Sequence, residues 1–135
     1  MKRRLMAYLT ALLLPLSAII AIPSPAQAAI YCPDIQAFAP SGFSQLYASG
    51  LVNGCIQPIN AEIHLREDIS WSPDREVSAD YRYNVTSAFM ETVSFNCVWF
   101  PGSEYYYFLE TRVKVNGSYQ QKKQSPRYRS QYYCT

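Results

Sequence analysis

The chain has 135 residues, 49% of them hydrophobic and 16% charged, with 12 basic side chains against ten acidic ones. This length predicts one small domain with room for one hydrophobic core. Four cysteines without a Cys-x-x-Cys pair, and a single His, argue against a metal site, so the sequence predicts no metal and no cofactor.

Residues 1–28 have the pattern of a secretory signal peptide. A basic start at residues 1–4 precedes an apolar stretch, residues 5–22, and Ala26-Gln27-Ala28 fits the cleavage site. We expect cleavage after Ala28, which leaves residues 29–135 as one domain secreted by a bacterium into the extracellular space. The alternative is an uncleaved membrane anchor, since about 18 apolar residues lie at the lower limit for spanning a bilayer. The basic start followed by the Ala-Gln-Ala site favours cleavage.

Four cysteines in an exported domain of this size predict two disulfide bonds. Three pairings are possible, and closure of the shorter loops favours Cys32 with Cys55 and Cys97 with Cys134. Each bond would stabilise the fold by roughly 3 to 4 kcal/mol by constraining the unfolded chain. We expect Cys97 and Cys134 to lie together in the core.

Alternation of apolar and polar residues recurs along the mature chain, which predicts an all-β domain. The clearest strand runs from Ile59 to Arg66, where the odd-numbered residues are apolar. Glu62 and His64 lie on its other face, so we expect them at the solvent surface. In the next strand, residues 77–86, the alternation predicts that Tyr81 and the other odd-numbered residues face inward.

Two turn signals divide the second half of the chain. Pro101-Gly102 separates an alternating segment, residues 93–99, from a longer run at residues 105–115, which indicates a hairpin. Asn116-Gly117 is the dipeptide best suited to a type I′ turn. We therefore expect residues 118–121 to return antiparallel to the run before them.

About seven short strands, the last at residues 127–134, are more typical of a two-sheet sandwich than of an open sheet. An open sheet would leave one aromatic-rich face in water. Before Ile59, the alternation at residues 43–48 and several prolines indicate short or edge strands. The predicted fold is an antiparallel sandwich, immunoglobulin-like or Greek-key, stapled by two disulfides.

Charge is unevenly distributed along the mature domain, whose formal net charge is about −1 after removal of the basic start. All ten acidic residues lie between Asp34 and Glu110, and every charged residue after Glu110 is basic. Four of these cations fall in pairs on strand faces and are candidate binding residues: Arg112, Lys114, Arg127 and Arg129. They predict a weak polyanion-binding surface or, alternatively, cations that pair with acidic strands of the same domain.

The segment from Glu67 to Arg75 is the best candidate for a functional loop, because it joins the two clearest strands and carries Trp71. A Trp at a loop tip can bury a large area in a partner while its N–H stays available for a hydrogen bond. The alternative is that Trp71 folds back into the core.

Catalytic residues are not evident in this sequence. Glu62, His64 and Arg66 are residue types of a small secreted ribonuclease, but a single strand spreads them over about 13 Å. Nothing selects two carboxylates for glycoside hydrolysis, and a Gly-x-Ser-x-Gly elbow is missing.

The sequence therefore predicts a small secreted binding or inhibitor module without enzymatic activity. Its expected partner is an extracellular protein or a polyanionic polymer, while nucleic acid and a stable membrane anchor are not expected. A small extracellular hydrolase and a polyanion-binding cell-surface protein remain the alternatives.

Overall fold

Strands supply the regular secondary structure of residues 30–135, the part of the chain described by this computed structural model. The predicted signal peptide, residues 1–28, lies outside the described residues. None of the described residues belongs to a helix that could cross a lipid bilayer. The strands in chain order are β1 (Asp34–Ala37), β2 (Ser41–Gly42), β3 (Leu46–Asn53), β4 (Ile59–Glu67), β5 (Arg75–Val85), β6 (Ala88–Ser94), β7 (Cys97–Trp99), β8 (Tyr105–Val115), β9 (Ser118–Gln124), β10 (Tyr128–Ser130) and β11 (Tyr132–Cys134).

Two main antiparallel sheets form the domain. In sheet A, β3 is central and pairs with β1 and β2 on one side and with β6 on the other. In sheet B the order is β5-β4-β8, and both β9 and β10 pair with the free side of β8. Strands β7 and β11 form a separate two-stranded ribbon, called here the end ribbon. The predicted all-β antiparallel class is confirmed.

The core lies between the inner faces of the two sheets. Their close approach is clearest at Gly50 in β3, where an added Cβ would lie 2.5 Å from Thr111 Oγ1 and 2.7 Å from Ile63 Cγ2. The apolar face predicted for β4 is buried as expected. Its members are Ile59, Ala61, Ile63 and Leu65.

Both disulfide bonds join the predicted partners. Cys32 is bonded to Cys55, which ties the segment before β1 to the segment after β3. Cys97 is bonded to Cys134, and these two residues face each other across the end ribbon. The choice of pairing by shortest loops is therefore confirmed.

The segment at residues 93–99 is not one strand, because β6 ends at Ser94 and β7 begins at Cys97. Cys134 is fully buried, but Cys97 is only partly buried beside the exposed Trp99. The expectation that both cysteines lie in the core is thus wrong for Cys97.

The predicted hairpin across Pro101-Gly102 is also wrong. A turn is present there, but β7 pairs with β11 and not with β8, because the Cys97–Cys134 bond holds β7 against the C-terminal segment. The last predicted strand, residues 127–134, is likewise divided at Gln131 into β10 and β11, which pair with different strands.

Strand β5 reverses the predicted faces in its middle part. Tyr81 lies opposite Glu62, on the outer face of sheet B, whereas Asp80 lies opposite the buried Ile63. The pairing of β4 with β5 is irregular at both ends of this stretch, and each irregularity adds one residue to β5 relative to β4. A shift of one residue exchanges the two faces of a strand, so the expectation that Tyr81 faces inward is wrong.

The predicted turn at Asn116-Gly117 is confirmed. Both residues have positive φ, 50° for Asn116 and 80° for Gly117, as a type I′ turn requires. Val115 pairs with Ser118 across the turn. Strand β9 then continues to Gln124, farther than predicted, and brings Tyr119 and two lysines beside β8.

Candidate functional site

Two regions combine aromatic rings with charged side chains, and the first is the outer face of sheet B. Strand β4 contributes Glu62 and His64, and β8 contributes Glu110, Arg112 and Lys114. In the sheet, Glu62 lies opposite Arg112, and His64 lies opposite Glu110. We call these five residues, together with Tyr119 of β9, the polar face.

Glu62 is at the centre of the polar face and is only 6% exposed. Its Oε2 lies 3.0 Å from His64 Nε2 and accepts a 3.0 Å hydrogen bond from the Tyr119 hydroxyl. Lys114 Nζ lies 3.5 Å from Oε1. Burial by itself would raise the pKa of Glu62, but the hydrogen bonds from His64 and Tyr119 and the charge of Lys114 outweigh it and lower the pKa.

Glu110 is held in the same way one strand away. It pairs with the Arg112 guanidinium and accepts a 2.8 Å hydrogen bond from Gln124 Nε2. Burial acts to raise the pKa of Glu110, yet the bonds from Gln124 and Arg112 lower it below its ordinary value. Both carboxylates are therefore held in the charged form by neighbours in the sheet.

His64 is only 5% exposed, so the expectation that Glu62 and His64 face solvent is wrong. The imidazole Nδ1 lies 3.4 Å from Glu76 Oε1 but makes no hydrogen bond within the described residues. Tyr81 packs edge-on against the ring at a centroid distance of 5.7 Å. Tyr81 lies on the outer face of β5, and its ring there covers the imidazole and accounts for part of this burial.

Tyr119 covers the other side of the polar face. The Arg112 guanidinium carbon lies 5.0 Å from the centroid of the Tyr119 ring, and Lys114 Nζ lies 4.7 Å from it, within the range of cation–π contacts. The polar face is thus closed by its own side chains. Acid, base and cation lie together there as in many catalytic sites, but Glu62 and His64 are buried beneath this cover.

A cavity of about 410 Å³ lies beside Tyr119 and is lined also by Arg112, Gln121 and Lys122. Gln121 is engaged with the backbone, because its amide accepts from the N–H groups of Tyr31 and Cys32 at 2.8 Å each. This cavity borders the closed polar face, and Arg112 is already paired with Glu110.

The second region is an open cleft of about 480 Å³ between the β4–β5 loop, the start of β8 and the end ribbon. We call it the Trp71 cleft. Its aromatic and charged lining residues are Glu67, Asp68, Trp71, Arg75, Glu104, Tyr105, Tyr106 and Tyr133.

Trp71 is 88% exposed at the mouth of this cleft, so the alternative that it fills the core is wrong. The loop that carries it is nevertheless tied down. Asp68 N–H donates to the Tyr106 carbonyl at 2.8 Å, and Ile69 N–H donates to Asp74 Oδ1 at 3.2 Å. Arg66 also donates to the Asp74 carbonyl at 2.9 Å.

Ion pairs organise the wall of the cleft. Arg75 donates to Glu67 Oε2 at 2.7 Å and to the Cys134 carbonyl at 2.6 Å, and its guanidinium lies 4.9 Å from the centroid of the Tyr133 ring. Glu104 accepts a 3.0 Å hydrogen bond from the Tyr106 hydroxyl. That bond raises the pKa of Tyr106 above its ordinary value.

All four candidate cations have carboxylate partners. Arg112 pairs with Glu110 and Lys114 with Glu62, both on the polar face. At the rim of the Trp71 cleft, Arg127 pairs with Asp68 and Arg129 pairs with Glu104, each at 2.7 Å. The four cations thus lie in two separate regions. Their pairing with carboxylates agrees with the alternative that they neutralise acidic residues of the same domain.

Some residues of the cleft could not be selected from the sequence. Glu104 belongs to no motif, and Tyr133 reaches the cleft only because the Cys97–Cys134 bond places β11 there. The signal that could have found Tyr133 is its position next to a cysteine. Phe108 of β8 is buried under Arg127, whose guanidinium carbon lies 3.8 Å from the ring centroid.

No protein-family model matches the chain, and searches among curated proteins and solved structures gave no match. Among residues 30–135, no group of three or more His, Cys, Asp or Glu side chains is arranged to hold a metal ion. The geometry of the two regions is therefore the basis for the function proposed next.

Proposed function

We propose that this protein is a small secreted binding module, without enzymatic activity, whose ligand occupies the Trp71 cleft. The observation that carries the proposal is the 88% exposure of Trp71 on a hydrogen-bonded loop beside a cavity of about 480 Å³. A large exposed ring on an anchored loop is a typical contact for a binding partner, because its burial gains much area for little conformational entropy.

The size and composition of the cleft support the proposal. Ligand sites commonly have volumes of roughly 300 to 1,000 Å³ and combine aromatic walls with a few fixed polar groups. In this cleft Tyr105, Tyr106 and Tyr133 supply the rings. Glu67 and Arg75 hold each other in place, so a ligand would meet groups that are already oriented.

Two further parts of the proposal concern the fold and the compartment. The strand orders β1-β3-β6 and β5-β4-β8-β9 match the A-B-E and C′-C-F-G orders of immunoglobulin-like sandwiches, which commonly bind ligands through loops at one end. Two disulfides are consistent with an extracellular location. We include an immunoglobulin-like fold and secretion in the proposal on these grounds.

The alternatives have less support. A hydrolase would need its acid and base to reach substrate, whereas Glu62 and His64 are buried. A polyanion-binding protein would need cations free to release counterions from the polymer. The candidate cations are instead paired with carboxylates.

The test compares the two tryptophans of the domain. Mature protein, Trp71→Ala and Trp99→Ala are coupled to resin and incubated with culture medium and cell-wall extract of the producing organism. Trp99 is the matched control because it is also exposed, at 56%, and does not line the cleft. We expect Trp71→Ala to reduce ligand capture about tenfold or more and Trp99→Ala to leave it unchanged.

Both substitutions remove exposed side chains, so the unfolding midpoints should stay near that of the unmodified protein. Equal capture by Trp71→Ala and the unmodified protein would rule out the cleft as the binding site.

A further inference from the structure

We propose that the ligand of the Trp71 cleft is an uncharged saccharide. This inference rests on the proposed function, because it names the class of ligand for the same cleft. The charge balance of the cleft wall, the positions of the rings and the carboxylates that line the cavity support it.

Charge balance is the first argument. Three carboxylates line the cleft, and each is paired with its own guanidinium: Glu67 with Arg75, Asp68 with Arg127, and Glu104 with Arg129. The N–O distance is 2.7 Å in all three pairs. A cationic or anionic ligand would have to compete with one of these existing partners, whereas a neutral ligand would not.

The aromatic rings are the second argument. Trp71 and Tyr106 are exposed at the cleft, and Tyr105 and Tyr133 form a tilted pair with ring centroids 5.3 Å apart. The flat apolar C–H faces of a sugar ring can cover such aromatic surfaces and remove them from water. A small apolar ligand would use the rings but would displace water from the remaining acceptor sites of the cleft carboxylates without replacing its hydrogen bonds.

Hydrogen-bonding capacity is the third argument. Arg127 donates to Oδ2 of Asp68, whose side chain is 37% exposed, and Arg129 pairs with Oε1 of Glu104, whose side chain is 45% exposed. An ionised carboxylate has roughly four lone-pair sites on its two oxygens, so both groups can accept further hydrogen bonds from hydroxyls. Hydroxyl groups on neighbouring sugar carbons can donate to such acceptors while the ring faces the aromatics.

The experiment uses a printed array of neutral, carboxylated, sulfated and amine-bearing oligosaccharides. The mature protein, Trp71→Ala and the matched control Trp99→Ala are applied at low and at high salt. We expect binding to neutral oligosaccharides that falls about tenfold or more in Trp71→Ala and is retained in Trp99→Ala. Binding should be the same at both salt concentrations, because no ion pair with the ligand is screened.

A second variant, Asp68→Asn, tests the charge balance itself. It keeps an acceptor oxygen but leaves Arg127 without its carboxylate partner, so we expect increased binding to carboxylated or sulfated oligosaccharides. No such increase would contradict the role assigned to the Asp68–Arg127 pair, and with it the charge argument.

The outcomes separate this inference from the proposed function. Binding of charged oligosaccharides alone, or no binding to the array, overturns the saccharide inference. If capture from culture medium still depends on Trp71 in either case, the cleft remains the binding site and its ligand is a protein or another polymer. If capture does not depend on Trp71, the proposed function fails as well.

Discussion

The polar face and the Trp71 cleft contain the same kinds of side chains, but those at the centre of the polar face are buried, whereas several of those in the cleft are exposed. On the polar face, Tyr119 and Tyr81 lie over carboxylates and His64, which are almost completely buried. In the cleft, carboxylates are paired with arginines around a cavity, and Trp71 projects into water. Trp71 and the partly exposed Asp68 and Glu104 of the cleft are therefore open to a ligand, whereas Glu62, His64 and Glu110 of the polar face are not.

Burial explains why the two sets should respond differently to substitution. A buried charge that loses its partner cannot regain its hydration, so the loss is large. An exposed ion pair is screened by water, and its loss is small. We expect changes on the polar face to affect stability and changes in the cleft to affect binding.

The largest expected effect is on stability, from Glu62→Gln. The substitution preserves size but leaves Lys114, His64 and Tyr119 without the carboxylate that they share, and we expect a loss of about 3 kcal/mol in the free energy of unfolding. Asp68→Asn, which breaks the more exposed pair with Arg127, is the matched control and should cost about 1 kcal/mol or less. Urea denaturation measures both. Similar losses in the two variants would remove the distinction between the regions.

The polar face should also limit stability in acid. Glu62 and Glu110 have pKa values below the ordinary 4.5 in the folded protein. On acidification the unfolded chain therefore binds protons first, so stability is retained above pH 4.5 and is lost as the pH falls through the lowered values. The double variant Glu62→Gln/Glu110→Gln lacks both carboxylates, so its free energy of unfolding should fall less steeply as the pH drops below 4.5. Denaturation midpoints across this range test the expectation, and an unchanged slope would contradict it.

A smaller effect is expected from single hydroxyl groups. Tyr119→Phe removes a 3.0 Å hydrogen bond to the buried Glu62 and should cost about 1 kcal/mol. Tyr106→Phe removes a bond of the same length to Glu104, which is exposed at the cleft, and should change stability very little. Thermal unfolding of the two variants provides the comparison. A larger loss for Tyr106→Phe would mean that the cleft and not the polar face is the rigid part.

Much of the fold could be predicted from local patterns. The apolar face of Ile59–Arg66 and the Asn116-Gly117 turn depend on residues near one another in sequence, and the cysteine pairing follows from the shortest loops. The structure confirms each of these. Trp71 was selected for a similar reason, because the loop between two clear strands can be recognised locally.

The remaining features depend on strand partners, which the sequence does not reveal. The face on which Tyr81 lies is decided by irregular pairing at both ends of its strand. The burial of His64 involves Tyr81 of β5, whose ring packs against the imidazole, and Glu62 of β4. The path of β7 is set by the bond between Cys97 and Cys134.

The most direct test of the account measures stability and ligand capture together in Trp71→Ala and Glu62→Gln. Trp71→Ala should lose about tenfold or more in capture and keep its unfolding free energy. Glu62→Gln should lose about 3 kcal/mol of stability and keep its capture under conditions where it is folded. The account is contradicted if folded Glu62→Gln no longer captures ligand while Trp71→Ala still does, because the binding site would then lie on the polar face.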